Sequence, residues 1–557
     1  MSPKSEVMPV PRISGVPLRT LARAARTRGG AYSIYRALRK DVRGDELLAL
    51  PEGLRGGLLH NLTPLAGRPP RSGPADLPLP AGGWAPTVMK IGEAYGRGDL
   101  TPSEVVRRCF EKARDLESRT PTHAVLLQRD EDVATRAAAA STERWRTKAT
   151  LGPFDGVPCA IKEQSAVAGL LHQNGTRVLS DLPASQDAAC VEALRAAGAI
   201  ILGTTPMTEY GMSPLGQNAL RTMPRNPHAP GHLAGGSSTG SGVAVATGLV
   251  PFALGVDGGG SVRIPAAWNG VFGLKPTWGR VSRRGTFASG SMSHVGPLAS
   301  SAVDLAGVLE RIGHSDAEDP ETFVAPAIDK RALSAALRRG VRGLRVGVEE
   351  REWADASSEM AAGGREALRA LEREGAVLVP VRLELLRFAI GIGALNIGPE
   401  ALALNARDYQ RLGHLMGHDV QVSFAALSCV SSTEFLDAQR LRTGLRAEVA
   451  HAFRDIDLLA LPTTADAAPA VTAQEMASGF IDGHALARAC RYAFLANLTG
   501  LPAGTAPVGK TAAGLPIGFQ LVGDAWDEGT VLAGLAHLER MGAAEATRPQ
   551  VYVDILG

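Results

Sequence analysis

Apolar and polar positions along this chain repeat at two different periods, and each change of period marks an element. Behind Thr101-Pro102-Ser103-Glu104 the period is helical: Val105, Val106, Cys109 and Phe110 share one face. The four leading residues form a capping box, with proline at the first helical position. A second helix is predicted over about 130–146, mostly alanine on its inner face. Residues 157–161 are then a continuous apolar run ending at Lys162, which reads as a buried strand. The amphipathic helix DAACVEALRAAGA leads to the short buried strand Ile200-Ile201-Leu202, after which 203–227 reads as loop. Small residues at Gly242, Ala244 and Ala246 predict a tightly packed helix over 241–249, and 252–256 a further buried strand. Beyond Ser300 helices are predicted over 304–312 and 357–374, with long helical material over 424–453 and a closing helix over 531–538. Strands are predicted over 344–348, 376–381, 458–462 and 517–522. This alternation predicts an α/β fold: one large domain whose central mixed, mostly buried sheet is covered by helices on both faces.

The ends differ from the body. Residues 1–62 read as a basic helical extension, in which Arg12, Arg19, Arg23, Arg26, Arg28, Arg36, Arg39 and Lys40 precede Asp41 and Asp45. Leu18, Leu21, Ala22 and Ala25 supply a helix face, expected to pack on the body with the arginines in water. Binding to a membrane surface and an organelle signal are the rival readings. Residues 63–91 read as a Pro/Gly-rich linker or draped arm, 92–545 as the main domain and 546–557 as a C-terminal tail. The block 315–450 has the most generic signals and is expected to supply substrate contacts.

Composition narrows the class. With 557 residues, 45% hydrophobic, 21% charged and a net charge of +3, the chain reads as a globular protein with no global field to recruit nucleic acid. Apolar runs break before spanning length and the start lacks a secretory apolar core, so no spanning segment and a cytoplasmic location are expected. Five scattered cysteines show no C-x-x-C spacing, which disfavours a disulfide framework or a zinc site.

The candidate chemistry lies in two Gly/Ser loops, GGSSTGSG from Gly235 and DGGGSVR from Asp257. Glycine lets backbone N–H groups converge on one point, which suits an anion: a phosphate, or the oxyanion of an attacked carbonyl. The lysine of a phosphate loop is missing after either cluster, because Lys275 in GLKPT meets a proline. Hydroxyls are present instead, at Ser237, Ser238, Ser241 and Ser261. No histidine lies in either loop, and no G-x-S-x-G elbow exists for His172, His228, His232 or His294 to serve. Lys162, at the end of a buried strand, can act as base once desolvation favours its neutral amine. Asp257 and Arg263 are expected to pair and brace the second loop.

The segments GVPCAIKE, GGSSTGSG, GVDGGGSVRIPAAWNGVFGLKPT and GLPIGFQLVG resemble the amidase signature family of serine hydrolases. That resemblance implies a Ser-cisSer-Lys triad: Ser261 as acylated nucleophile, Ser237 as the cis serine and proton relay, and Lys162 as base. It implies an oxyanion hole around Gly258, Gly259, Gly260 and Ser261. It also implies hydrolysis of a small-molecule amide, with no metal or organic cofactor. The A subunit of a glutamine-hydrolysing amidotransferase, an ester or carbamate hydrolase and an idle scaffold are the alternatives, and a homodimer is left open. Thr239, Val256, Glu163, His172-Gln173-Asn174 and Trp268-Asn269-Gly270 depart from the family's usual residues and leave the substrate unassigned. Exhaustive chelation, followed by an amide-hydrolysis assay, should leave turnover unchanged; a loss restored by added metal would overturn the metal-free reading.

Overall fold

A computed structural model describes residues 12–58, 77–179, 181–288 and 290–557. Its centre is a ten-stranded sheet. Among the described residues the strands are β1 Ile13–Ser14, β2 Pro158–Lys162, β3 Ile200–Thr205, β4 Phe252–Asp257, β5 Phe272–Lys275, β6 His294–Ala299, β7 Arg345–Val348, β8 Val377–Pro380, β9 Leu458–Pro462, β10 Phe480–Ile481, β11 Ala503–Lys510 and β12 Pro516–Gly523. The large sheet runs β3-β2-β4-β6-β5-β11-β12-β9-β7-β8, while β1 and β10 form a separate antiparallel pair. β2 lies parallel to both β3 and β4, and β4 antiparallel to β6. Every residue of β2, β3 and β4 is buried, which is why each reads as an apolar run before its polar end. Successive residues of β9 enter different apolar clusters, Leu458 and Ala460 in one, Leu459 and Leu461 in the other. Because side chains alternate across a strand, the two clusters cover opposite faces of the sheet.

Most predicted elements are present, and the differences have local causes. β3 runs on to Thr205, into the expected loop, since Thr204 exchanges backbone hydrogen bonds with Leu127 and Gln128. The small-residue helix spans Thr239–Ala246, two residues earlier than predicted. The helical material over 424–453 is two helices, His418–Leu427 and Ser432–Ala452, the second started by a Ser431–Glu434 capping box. Strands β5, β6 and β11 and the helix Ala389–Leu412 lack a clear sequence signal; Gly391, Gly393, Gly398 and Pro399 obscure that helix. The helical stretch Leu386–Leu415 reaches the length and hydropathy a membrane span needs, against expectation. It is wound into the protein, with Ile392 and Leu395 in the core.

The N-terminal extension packs on the body. Helices Gly15–Ala24 and Arg28–Asp41 bury Leu18, Ala22, Ala25, Ile34 and Tyr35 against Val422, Ala425 and Ala426 of the His418–Leu427 helix. Arg12 donates to Asp482 at 2.9 Å. Of the expected linker, 63–76 lies outside the described residues, and the helix Val88–Arg97 crosses the expected boundary at 91. In the C-terminal stretch Val553 and Ile555 are buried in the main core.

Gly240, inside the Thr239–Ala246 helix, touches the Pro206 turn that follows β3: a Cβ there would lie 2.8 Å from Pro206 N and closer still to Pro206 Cδ. Gly240→Ala should therefore cost about 1–3 kcal/mol in urea unfolding. An unchanged midpoint would show that the turn yields freely.

Candidate active site

The C-terminal end of β2 delivers Lys162 to a point beneath both glycine loops. Its side chain is fully buried, and Nζ lies 2.7 Å from Ser237 Oγ and 3.3 Å from the Val256 carbonyl. Burial pushes the ammonium down to about 7, although the charges of Asp257 and Glu163 pull the other way. At 2.7 Å a charged Lys162 donates to the hydroxyl, and a neutral one accepts from it. Glu163, also buried, is itself pushed up to about 7 by burial, with Arg221 at 3.7 Å opposing that rise. A carboxyl that is half protonated near neutrality does little to hold Lys162 charged.

Ser237 follows a cis Gly236–Ser237 peptide bond. The Gly236 N–H donates to Pro214 O at 2.7 Å, and the Ser238 N–H donates to Ser261 O at 3.3 Å, which ties the two loops together. Ser261 stands just before the Arg263–Asn269 helix, and Ser237 and Ser261 line one cavity together with Gly258 and Gly259. Among the described residues no hydrogen bond engages the Ser261 hydroxyl or the N–H groups of Gly258, Gly259 and Ser261. Gly260 differs. Its N–H donates to Asp257 Oδ1 at 2.7 Å, so it is already spent and not offered to a substrate oxygen. That amide, expected in an oxyanion hole, holds the loop's shape instead.

Asp257 and Arg263 form the frame of this loop. Arg263 Nε and Nη2 donate to the two carboxylate oxygens at 3.0 and 2.9 Å, with both side chains wholly buried. Burial alone would raise the Asp257 carboxyl; the Arg263 guanidinium and the Asn497 amide hold it well below the usual carboxylate range. Arg263 also donates to Ala493 O, Gln520 Oε1 and Asn497 Oδ1. These partners come from more than two hundred positions away in the chain. Asn497 has no sequence signal, whereas Gln520 sits inside the GLPIGFQLVG segment and could have been found there.

Three of the four rival histidines are engaged elsewhere, while the His232 Nδ1 has no hydrogen-bond partner among the described residues. His228 bonds Asn269 O, and burial holds it down at about 4; His294 bonds Met292 O; His172 bonds Gln164 O. Lys275 is buried but donates to Pro276 O. Burial pushes the Cys159 thiol up to about 12. Among the described residues no cluster of three His, Cys, Asp or Glu side chains offers a metal site.

Comparison with known proteins shows the family. The model of the Amidase family matches residues 104–532. The chain belongs to the amidase signature family. It is 33% identical to a fatty acid amide hydrolase of Medicago truncatula, over 83% of this chain and 77% of that one. It is equally 33% identical to the A subunit of the glutamyl-tRNA(Gln) amidotransferase of Chloroflexus aurantiacus, over 84% of this chain and 99% of the other. Among solved structures, the peptide amidase of Stenotrophomonas maltophilia superposes with a TM-score of 0.70 at 28% identity, covering 83% of this chain and 98% of that one. The ten-stranded sheet is therefore the family's scaffold, and the amidase α/β fold expected from the sequence is the fold observed.

The buried pair makes a stability prediction. Arg263→Met leaves Asp257 uncompensated and should cost about 3–5 kcal/mol in denaturant unfolding. A cost below about 1 kcal/mol, the range of exposed pairs, would remove the pair from its framing role.

Proposed function

We propose that this amidase-family enzyme hydrolyses carboxylic amides with an apolar acyl portion, through an acyl-enzyme on Ser261. The observation that carries the reading is the 2.7 Å contact between a desolvated Lys162 and Ser237, beside a second serine in one cavity. Neutral Lys162 takes the proton of Ser237 while Ser237 takes that of Ser261. The Ser261 hydroxyl turns towards Ser237 for this step, a tightening common when substrate enters. Its oxygen then bonds to the substrate carbonyl carbon. Negative charge gathers on the carbonyl oxygen, facing the unengaged N–H groups of Gly258, Gly259 and Ser261, each such donor worth about 2.7–4 kcal/mol. As the C–N bond breaks, the proton returns along the same path to the leaving amine. Water, deprotonated by the same relay, releases the carboxylate.

The cavity of about 260 Å³ is lined mainly by apolar side chains from the long helix Ala389–Leu412 and its neighbours, including Ile390, Leu395, Leu427 and Phe494. Such a lining suits an apolar acyl chain and penalises a zwitterion such as glutamine. It favours the activity named for the Medicago relative over that named for the Chloroflexus one, despite equal identity. The same triad could cleave esters or carbamates with the same acyl group.

Ser261→Ala, Ser237→Ala and Lys162→Ala should each fold and lose at least about 10²-fold in kcat, and a fluorophosphonate should label Ser261. Label recovered on another serine would refute the assignment. The pH profile has a definite sign. The base works uncharged, so kcat/KM should rise with pH through about 7 and level off above it. A rising limb near 10.5, the ordinary lysine value, would mean that Lys162 is not desolvated.

A further inference from the structure

We infer that the N-terminal helix Arg28–Asp41 is the specificity wall of the acyl cavity, and that Leu38, with Val42 just beyond the helix, sets how bulky an apolar acyl group fits. This rests on the amidase reading above and deepens it. Tyr35, Leu38, Arg39, Asp41 and Val42 line the same cavity as Ser237 and Ser261. None belongs to the stretch that the family model covers, residues 104–532. The shared domain thus leaves one side of the cavity to be built by a segment outside it.

The segment is fastened where it meets the cavity. Tyr35 donates its hydroxyl to Glu434 at 2.6 Å, and Arg39 donates to the same carboxylate at 2.7 Å. β1 pairs with β10, placing Ile13 opposite Ile481, which itself lines the cavity. Asp41 closes against Gly483, where a Cβ would collide with its carboxylate. Arg39 is bound by Glu434 and Asp45, whereas Asp41 keeps a buried carboxylate oxygen, Oδ2, without a hydrogen-bond partner among the described residues, and burial raises its carboxyl towards the neutral form. Partly buried Leu38 and Val42 remain as the apolar surface presented by the extension. A wall of branched apolar side chains held by ion pairs and hydrogen bonds discriminates by volume, because neither the anchors nor the core behind them can shift cheaply.

The test compares the wild type with Leu38→Trp and Leu38→Ala on acetyl, hexanoyl and dodecanoyl p-nitroanilides, and titrates dodecanoate into each on a Ser261→Ala background. Leu38→Trp should lower the dodecanoyl-to-acetyl ratio of kcat/KM by at least about tenfold, and weaken dodecanoate binding by a similar factor. Leu38→Ala should move both in favour of the bulkier group, which keeps the test decisive if the tryptophan variant fails to fold. Wild-type ratios and dodecanoate affinities in both variants would overturn the wall. Dodecanoate binding that responds as expected, in a protein that hydrolyses no anilide, would support the wall and sink the hydrolytic reading instead.

Discussion

Removing the Lys162 amine from water is the constraint on which the site depends. A lysine in solvent stays protonated at neutral pH and has no lone pair to offer, whereas burial pushes the Lys162 ammonium down to about 7. Burial is achieved by position in the sheet. β2 lies between β3 and β4, and the glycine loop after β4 closes over its end. Two acidic neighbours would undo the effect if both kept full charge. Asp257 spends its charge on Arg263, and Glu163 is pushed towards neutrality by its own burial.

The second constraint is the shape of the Gly258–Ser261 turn. Three of its N–H groups stay unengaged only because other groups hold the backbone: the Gly260 N–H on Asp257, and Asp257 on Arg263 and Asn497. Arg263 in turn reaches Gln520 on β12 and Ala493 beside the Phe494–Thr499 helix. A loop of three glycines would otherwise sample many conformations. The ion pair converts that freedom into one arrangement, so folding energy and the geometry of the free amides share the same bonds.

In the proposed reading, chemistry and selectivity are carried by different parts of the chain. The serines, the lysine and their frame belong to the sheet and its loops, within the stretch the family shares. Much of the cavity wall comes from the helices after residue 388 and from the N-terminal extension, joined by Tyr210, Met212 and Pro214 of the loop after β3. A shared fold can acquire a new substrate by changing such walls, since on this reading they would meet the acyl group and leave the proposed relay unchanged.

The α/β architecture and the neighbourhood of the candidate reacting groups were legible in the sequence, because both rest on local order. Apolar runs of strand length, a capping box and two glycine clusters keep their meaning wherever the chain later goes, and GVPCAIKE, GGSSTGSG and DGGGSVR each carry one candidate side chain. Three things needed the tertiary structure. The Gly260 N–H, expected in an oxyanion hole, is engaged by a carboxylate only three residues away, a choice between partners that spacing does not make. Asn497 and the Ala493 carbonyl reach Arg263 across more than two hundred residues, and nothing in a linear pattern records that approach. The arginine-rich N-terminus, read as an extension on the body, brings Leu38 and Val42 into the same cavity as the serines. Which residues share a surface is fixed by packing after the elements form, so sequence alone determined the chemistry on offer and the fold determined what that chemistry can reach.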